Sequence, residues 1–342
     1  MNTWDRRRTL AMGRAVQWWD EKQIPLYVAA IAAGAVLGLA APGLALTLER
    51  SINPVLALLL FATFLGVPLI EVGRAFRNVR FLATVLVANF VVVPAIVYGL
   101  SRFVADDRGL LLGVLLVLLT PCIDYVIVFT GLAGGARARL LAAAPLLMVA
   151  QILLLPGYLY LFAGGDVLAV VDIAPFVEAF LVLIVLPLAA AAAVQALARR
   201  HRAGQVTETV MAGAMVPLMM ATLAVVIASQ IAAVGDRVTE LVRVVPLYVA
   251  FVVLAVAVGL LAGWLTRLDV PATRAVMFAT ATRNSLVVLP LALALPASLA
   301  IAPLAVVTQT LVELVAMVVL VRLVPRLTPT RHPTPTVLTG EP

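Results

Sequence analysis

Charge, cysteine and lysine are all scarce in this sequence. Charged residues make up 12% of its 342 residues against 64% hydrophobic ones, and the mean hydropathy of +1.13 lies far outside the range of soluble domains. That balance excludes a water-soluble globular chain and implies a bilayer. The single cysteine, Cys122, sits inside an apolar run, which excludes a disulfide framework or a multi-thiolate metal site within one chain. The two histidines, His201 and His332, fall in a loop and in the terminal tail. No metal-ligand or nucleophile–base spacing surrounds them, which argues against an intramembrane hydrolase. With no Gly-Lys-Ser/Thr phosphate loop the chain carries no nucleotide-hydrolysing motor, and no cofactor is expected.

The charge that is present is mostly arginine. The net charge is +7, and Lys22 is the one lysine. Nucleic-acid binding calls for a basic face with stacking aromatics on a soluble module. Here the basic residues lie instead in short gaps between apolar runs of about 20 residues, the length that spans ~30 Å of hydrocarbon.

Those runs predict ten spans, near 26–48, 54–70, 81–103, 109–133, 139–163, 172–197, 210–234, 243–266, 271–296 and 303–324. Alternate gaps, together with the two ends of the chain, carry eighteen basic residues, and the intervening gaps carry five. The positive-inside rule therefore places both termini in the cytoplasm of a multi-pass inner (plasma) membrane protein. Residues 1–25, with Arg6, Arg7, Arg8 and the Trp18-Trp19 pair, read as a basic interfacial segment rather than a cleaved signal peptide. Residues 326–342, rich in Thr and Pro, read as a disordered cytoplasmic tail.

The fold class expected is thus all-α and polytopic. Its ten helices divide into two five-helix repeats, 26–163 and 172–325, joined by an extracytoplasmic linker at 164–171. An odd number of spans per half makes the halves inverted. The fourth and ninth spans are interrupted by polar clusters, Thr120-Pro121-Cys122-Ile123-Asp124 and Thr280-Ala281-Thr282-Arg283-Asn284-Ser285. An offset of 160 places Cys122 on Thr282 and Asp124 on Asn284. Corresponding breaks in two inverted halves point to a transporter's substrate site, because unwound backbone in hydrocarbon must be satisfied by a ligand, an ion or a side chain.

Within the spans, Asp124 and Arg283 are the costliest residues, at about 2.5–3.5 kcal/mol each on insertion scales. If the broken spans cross, the two can meet, either as a static ion pair that holds the crossing or as a charge pair that faces a cavity and takes part in transport. Glu313 follows Gln309 by one helical turn, so both face one way and can accompany Arg283. Asn284 and Ser285 lie at the second break. Thr120, Thr282 and Asn89 are further candidates for lining, although Asn89 also fits an interhelical hydrogen bond. Cys122, directly after Pro121, is either an inert small hydrophobe or a soft ligand exposed by the break.

Three of these places resemble the bile acid/arsenite/riboflavin transporter superfamily and, within it, the arsenite efflux permeases. Leu119-Thr120-Pro121-Cys122 is similar to the Pro-Cys of that family's fourth span, Ala279 to Leu289 to its interrupted ninth span, and Thr310 to Met317 to its tenth-span Leu-Val-Glu-Val-Pro-Val-Met signature. The resemblance implies a panel domain and a core domain, crossing broken helices and alternating access. It also implies export of arsenite in exchange for protons, with Cys122 as a transient As(III) ligand and Glu313 as the coupling carboxylate. The bile acid branch offers the alternative, sodium-coupled or sodium-independent transport of an organic anion that Arg283 would meet. Asp124 and Arg283 depart from the permease pattern, and a fixed guanidinium in the space of a sodium ion favours protons. From another class, a non-transporting membrane sensor is the lesser alternative, disfavoured by the paired breaks and by loops too short for an output domain.

Overall fold

The computed structural model describes residues 22–66, 78–123, 125–164, 178 and 181–329. Among them the chain is helical, with one isolated antiparallel bridge between Pro121 and Arg283. Seven of its helices are long and apolar enough to cross a membrane. These are α2 (Ala45–Gly66), α3 (Val79–Val104), α6 (Arg137–Ala163), α7 (Leu181–Ala198), α8 (Arg202–Asp236), α9 (Val244–Leu265) and α12 (Ile301–Leu327). The first expected span is the shorter α1 (Gln23–Ala40). The fourth and ninth are each two half-helices, α4 (Arg108–Leu118) with α5 (Tyr125–Leu132), and α10 (Val270–Ala281) with α11 (Ser285–Leu293). Of the expected segments, the N-terminus up to residue 21, the linker after Gly164 and the tail from residue 330 lie outside the described residues.

Local chemistry sets these boundaries. Asp107 caps α4 by accepting from the amides of Gly109 and Leu110 at 2.8 and 2.9 Å, and Asp269 caps α10 through Ala272 at 2.8 Å. Pro121 ends the first half of the fourth run because its ring has no N–H to donate and disfavours a helical conformation at Thr120. The second break has no proline. Thr282 is extended at φ −98° and ψ 132°, and Asn284 restarts the helix by capping Val287 at 3.4 Å. Three helices differ from their hydropathy bounds: the Pro42–Leu44 turn ends α1 at Ala40, where the apolar run continues to 48, and lets α2 begin at Ala45 instead of 54, and α8 begins at Arg202, eight residues ahead of its apolar run. Thr207 and Thr209 keep helical geometry there, their hydroxyls donating to the carbonyls four residues back, so polarity marks the membrane edge and not the helix end.

The helices pack as two groups. α1, α2, α7 and α8 form one, and α3 to α6 with α9 to α12 form the other. Close backbone approach holds both together, the membrane substitute for hydrophobic association. Gly34 and Gly38 of α1 lie against Ala224 and Ala228 of α8, Gly109 and Gly113 of α4 against Ile301 and Ala302 of α12, and Gly259 and Gly263 of α9 against Met277 and Thr273 of α10. At its two ends the second group is tied by exposed ion pairs, Arg139–Asp269 at 2.7 Å and Arg243–Asp106 at 2.9 Å. The hydrogen bond from Arg243 holds Asp106 below the usual carboxylate range.

Candidate functional site

The two breaks meet. The amide of Cys122 donates to the Thr282 carbonyl at 3.1 Å, and the amide of Asn284 donates to the Thr120 carbonyl at 2.8 Å. The unwound segments thereby satisfy each other's backbone, as any non-helical backbone in hydrocarbon must. Four helix ends converge on this bridge: the C-termini of α4 and α10 and the N-termini of α5 and α11.

Arg283 is fully buried at the crossing. Its guanidinium is held by neutral oxygens: Nη1 donates to Leu118 O at 3.3 Å, and Nη2 to Asn89 Oδ1 at 2.8 Å, Ala279 O at 2.9 Å and Thr280 O at 2.6 Å. Leu118 ends α4, while Ala279 and Thr280 lie in the last turn of α10, so one side chain caps the negative poles of two half-helices. Phe251 of α9 lies with its ring centroid 5.3 Å from the guanidinium carbon, close enough for a cation–π contact. Nε has no hydrogen-bond partner among the described residues.

Asn89 reaches Arg283 because α3 widens into a π-turn over Ala88–Val92, a distortion common at functional sites. Its Nδ2 donates to Val85 O at 3.0 Å, which fixes the amide with Oδ1 toward the guanidinium.

Glu313 lies on another side of the crossing and is also buried. Its Oε2 accepts the backbone amide of Arg283 at 2.8 Å and Gln309 Nε2 at 2.5 Å, and its Oε1 accepts the Tyr125 hydroxyl. Glu313 therefore contacts Arg283 through the main chain, whereas the sequence suggested a contact at the guanidinium. Among the described residues no carboxylate forms an ion pair with Arg283. Asp124 lies outside the described residues.

The structure brings together Asn89, Thr120, Cys122, Thr282, Arg283, Asn284, Ser285, Gln309 and Glu313, all of them buried. The hydroxyls of Thr120 and Thr282 donate to carbonyls of their own helices. Ser285 accepts a hydrogen bond from Thr310 at 2.8 Å, and both line a cavity of about 10 Å³ that Thr222 of α8 closes from the other helix group. That is room for about one water. Asn284 Nδ2 and Gln309 Oε1, one donor and one acceptor, have no partner among the described residues. Sequence reasoning missed Tyr125 and Thr310. Tyr125 carried a signal, a phenol opening a half-helix three residues past Cys122, while Thr310 is one hydroxyl among many.

The family model described as Sodium Bile acid symporter family matches residues 53–240. The match contains Asn89 and the first break, and ends before the second break and Glu313. No curated protein matches the chain.

Proposed function

Because the chain belongs to the sodium bile acid symporter family, whose members are transporters, we propose that it is a ten-span secondary transporter exporting arsenite, or a related trivalent metalloid, by proton antiport. The observation that carries the coupling is the seat of Glu313. Its carboxylate accepts the peptide N–H of Arg283, inside the break, so protonating it weakens a bond that helps define the crossing. Proton binding and the geometry of the substrate-facing break are thereby one equilibrium, which is what coupling requires.

The bridge supports two inverted halves. Its two hydrogen bonds exchange under a twofold axis through Pro121 and Arg283, which pairs Cys122 with Asn284 and Thr120 with Thr282, an offset of 162 against the 160 read from the sequence. The excess of basic residues in alternate gaps supports cytoplasmic termini in an inner membrane.

Arg283 favours protons over sodium. Four oxygens that would suit a monovalent cation, three carbonyls and the Asn89 amide oxygen, already hold a cation that is covalently attached. The same commitment weakens the organic-anion reading, since in this conformation the guanidinium is engaged in capping two helices of the protein itself. Cys122, buried at the bridge, is the soft ligand in this proposal, reached when the two helix groups separate. One thiolate binds As(III) weakly enough to release it. Asn284 and Ser285 line the path, and Asp124 is the acid to which Arg283 turns during the cycle.

The test is arsenite accumulation in everted membrane vesicles with and without a proton gradient. Gradient-driven uptake that Glu313→Gln abolishes at equal protein level is expected. No uptake by folded native protein, or uptake indifferent to Glu313→Gln, would overturn the reading.

A further inference from the structure

Outside the crossing, α9 and α12 diverge to leave a groove of about 760 Å³. Every side chain lining it is aliphatic, among them Val249, Val253 and Val256 on one wall and Val315, Val319 and Leu323 on the other. Between Val245 and Leu260 it follows α9 for about 22 Å at ~1.5 Å per residue, well over half of the ~30 Å hydrocarbon core.

The groove has a polar end. Through the shared Leu260, and from Leu327 to Thr328, it continues into a second pocket of about 520 Å³ that adds Trp264, Arg267, Thr273 and Thr328. Arg267 ends the turn that closes α9, in a left-handed backbone conformation at φ 51°, with Leu268 N donating to Gly263 O at 2.9 Å. Its exposed guanidinium forms no hydrogen bond or ion pair among the described residues. Behind the pocket, buried Arg274 donates to Thr328 Oγ1 at 2.9 Å and Thr328 O at 2.8 Å, and its remaining contacts are carbonyls. Two positive charges therefore stand at the groove's end. Asp269, the carboxylate beside them in sequence, is engaged by Arg139 at 2.7 Å. Trp264 is 73% exposed, an indole placed as at a membrane–water interface.

We propose that this composite groove binds one anionic phospholipid, its acyl chain between α9 and α12 and its phosphate at Arg267. An aliphatic trough alone would take any lipid tail. The unpaired cation at its mouth selects the headgroup.

The test uses the full chain, purified in detergent and stripped of lipid, with thermal midpoints measured against added dioleoyl phosphatidylglycerol, dioleoyl phosphatidylcholine and glycerol phosphate. Phosphatidylglycerol should raise the midpoint by several degrees, increasing with concentration as linkage requires. Phosphatidylcholine should give less than half that shift and glycerol phosphate none. Arg267→Gln, an exposed change, should erase the difference between the two lipids. Val315→Trp, also exposed, should fill the trough and remove the response to both. Native mass spectrometry should find one retained phosphatidylglycerol per chain. Equal shifts from both lipids, a shift from glycerol phosphate, an undiminished preference in Arg267→Gln, or a dimer in place of a lipid adduct would each overturn the proposal.

Discussion

Cys122 and Thr282 pair across the crossing through the main chain, the Cys122 amide donating to the Thr282 carbonyl at 3.1 Å. The thiol takes no part in that bond. Cys122→Ala therefore keeps the bridge, and its stability should stay within about 1 kcal/mol of native, the modest cost of removing one small buried group. Arsenite resistance conferred on a sensitive host should fall to that of the empty host. Full protection by Cys122→Ala at equal expression would show that the thiol is not the ligand.

Glu313 is held by three donors on three elements: Tyr125 of α5, the break at Arg283, and Gln309 of α12. Tyr125→Phe removes one and leaves two, so it should lower the thermal midpoint by the equivalent of about 1.5–3 kcal/mol, the range for a hydrogen bond to a charged group. Transport should survive at reduced rate. Glu313→Gln turns an amide NH₂ toward groups that themselves donate, and should abolish gradient-driven transport outright. Equal transport by the two variants would separate the carboxylate from coupling.

The α1–α8 contact depends on having no side chain at Gly34. A Cβ there would lie 2.5 Å from the carbonyl oxygen of Ala224, and a backbone atom cannot rotate away as a side-chain tip can. Gly34→Val should cost about 1–3 kcal/mol, as overpacking generally does. A Cβ at Gly43 would meet no atom within 4 Å, and Gly43→Ala should leave the thermal midpoint nearly unchanged. Equal effects would mean that α1 and α8 approach less closely at Gly34 than this contact requires.

Apolar run length marked the helices and polar interruptions marked the breaks, since hydrocarbon tolerates few other patterns. The partners of Arg283 were less legible for a physical reason. A carbonyl is the same at every position, so no residue type announces that Leu118, Ala279 and Thr280 will be acceptors. Only Asn89 offered a side chain, and its aim depends on a π-turn that residue periodicity does not encode. The glycine pairs went unread, because glycines four apart do not say which helix each will meet, and that depends on the fold as a whole.

Asp269 caps α10 and receives two hydrogen bonds from Arg139. Partial burial pushes its pKa up, but those bonds and the Ala272 amide outweigh it, and the carboxyl sits below its ordinary 3.8. A depressed folded pKa means that its stabilisation is complete above the unfolded value and is lost as pH falls through the folded one. The thermal midpoint of the native chain should therefore drop below about pH 4 more steeply than that of Asp269→Asn. At neutral pH that variant, which can still cap, should lose under about 1 kcal/mol, because the pair is exposed and screened. Parallel pH profiles would remove Asp269 from the account.

Arg283 supports the sharpest contrast. In Arg283→Ala the oxygens of Leu118, Ala279, Thr280 and Asn89 lose their cation, and two helix C-termini are left uncapped in a buried site. The variant should be destabilised by about 3–5 kcal/mol, the usual result of removing one partner from a buried charged contact. The vacated space is then lined by hard oxygen donors, which suit a hard cation. Sodium should raise the thermal midpoint of Arg283→Ala well above its value in choline at the same ionic strength, while the native midpoint should not distinguish the two salts. A sodium response in the native chain, or none in the variant, would refute the view that the guanidinium stands where a coupling cation would bind.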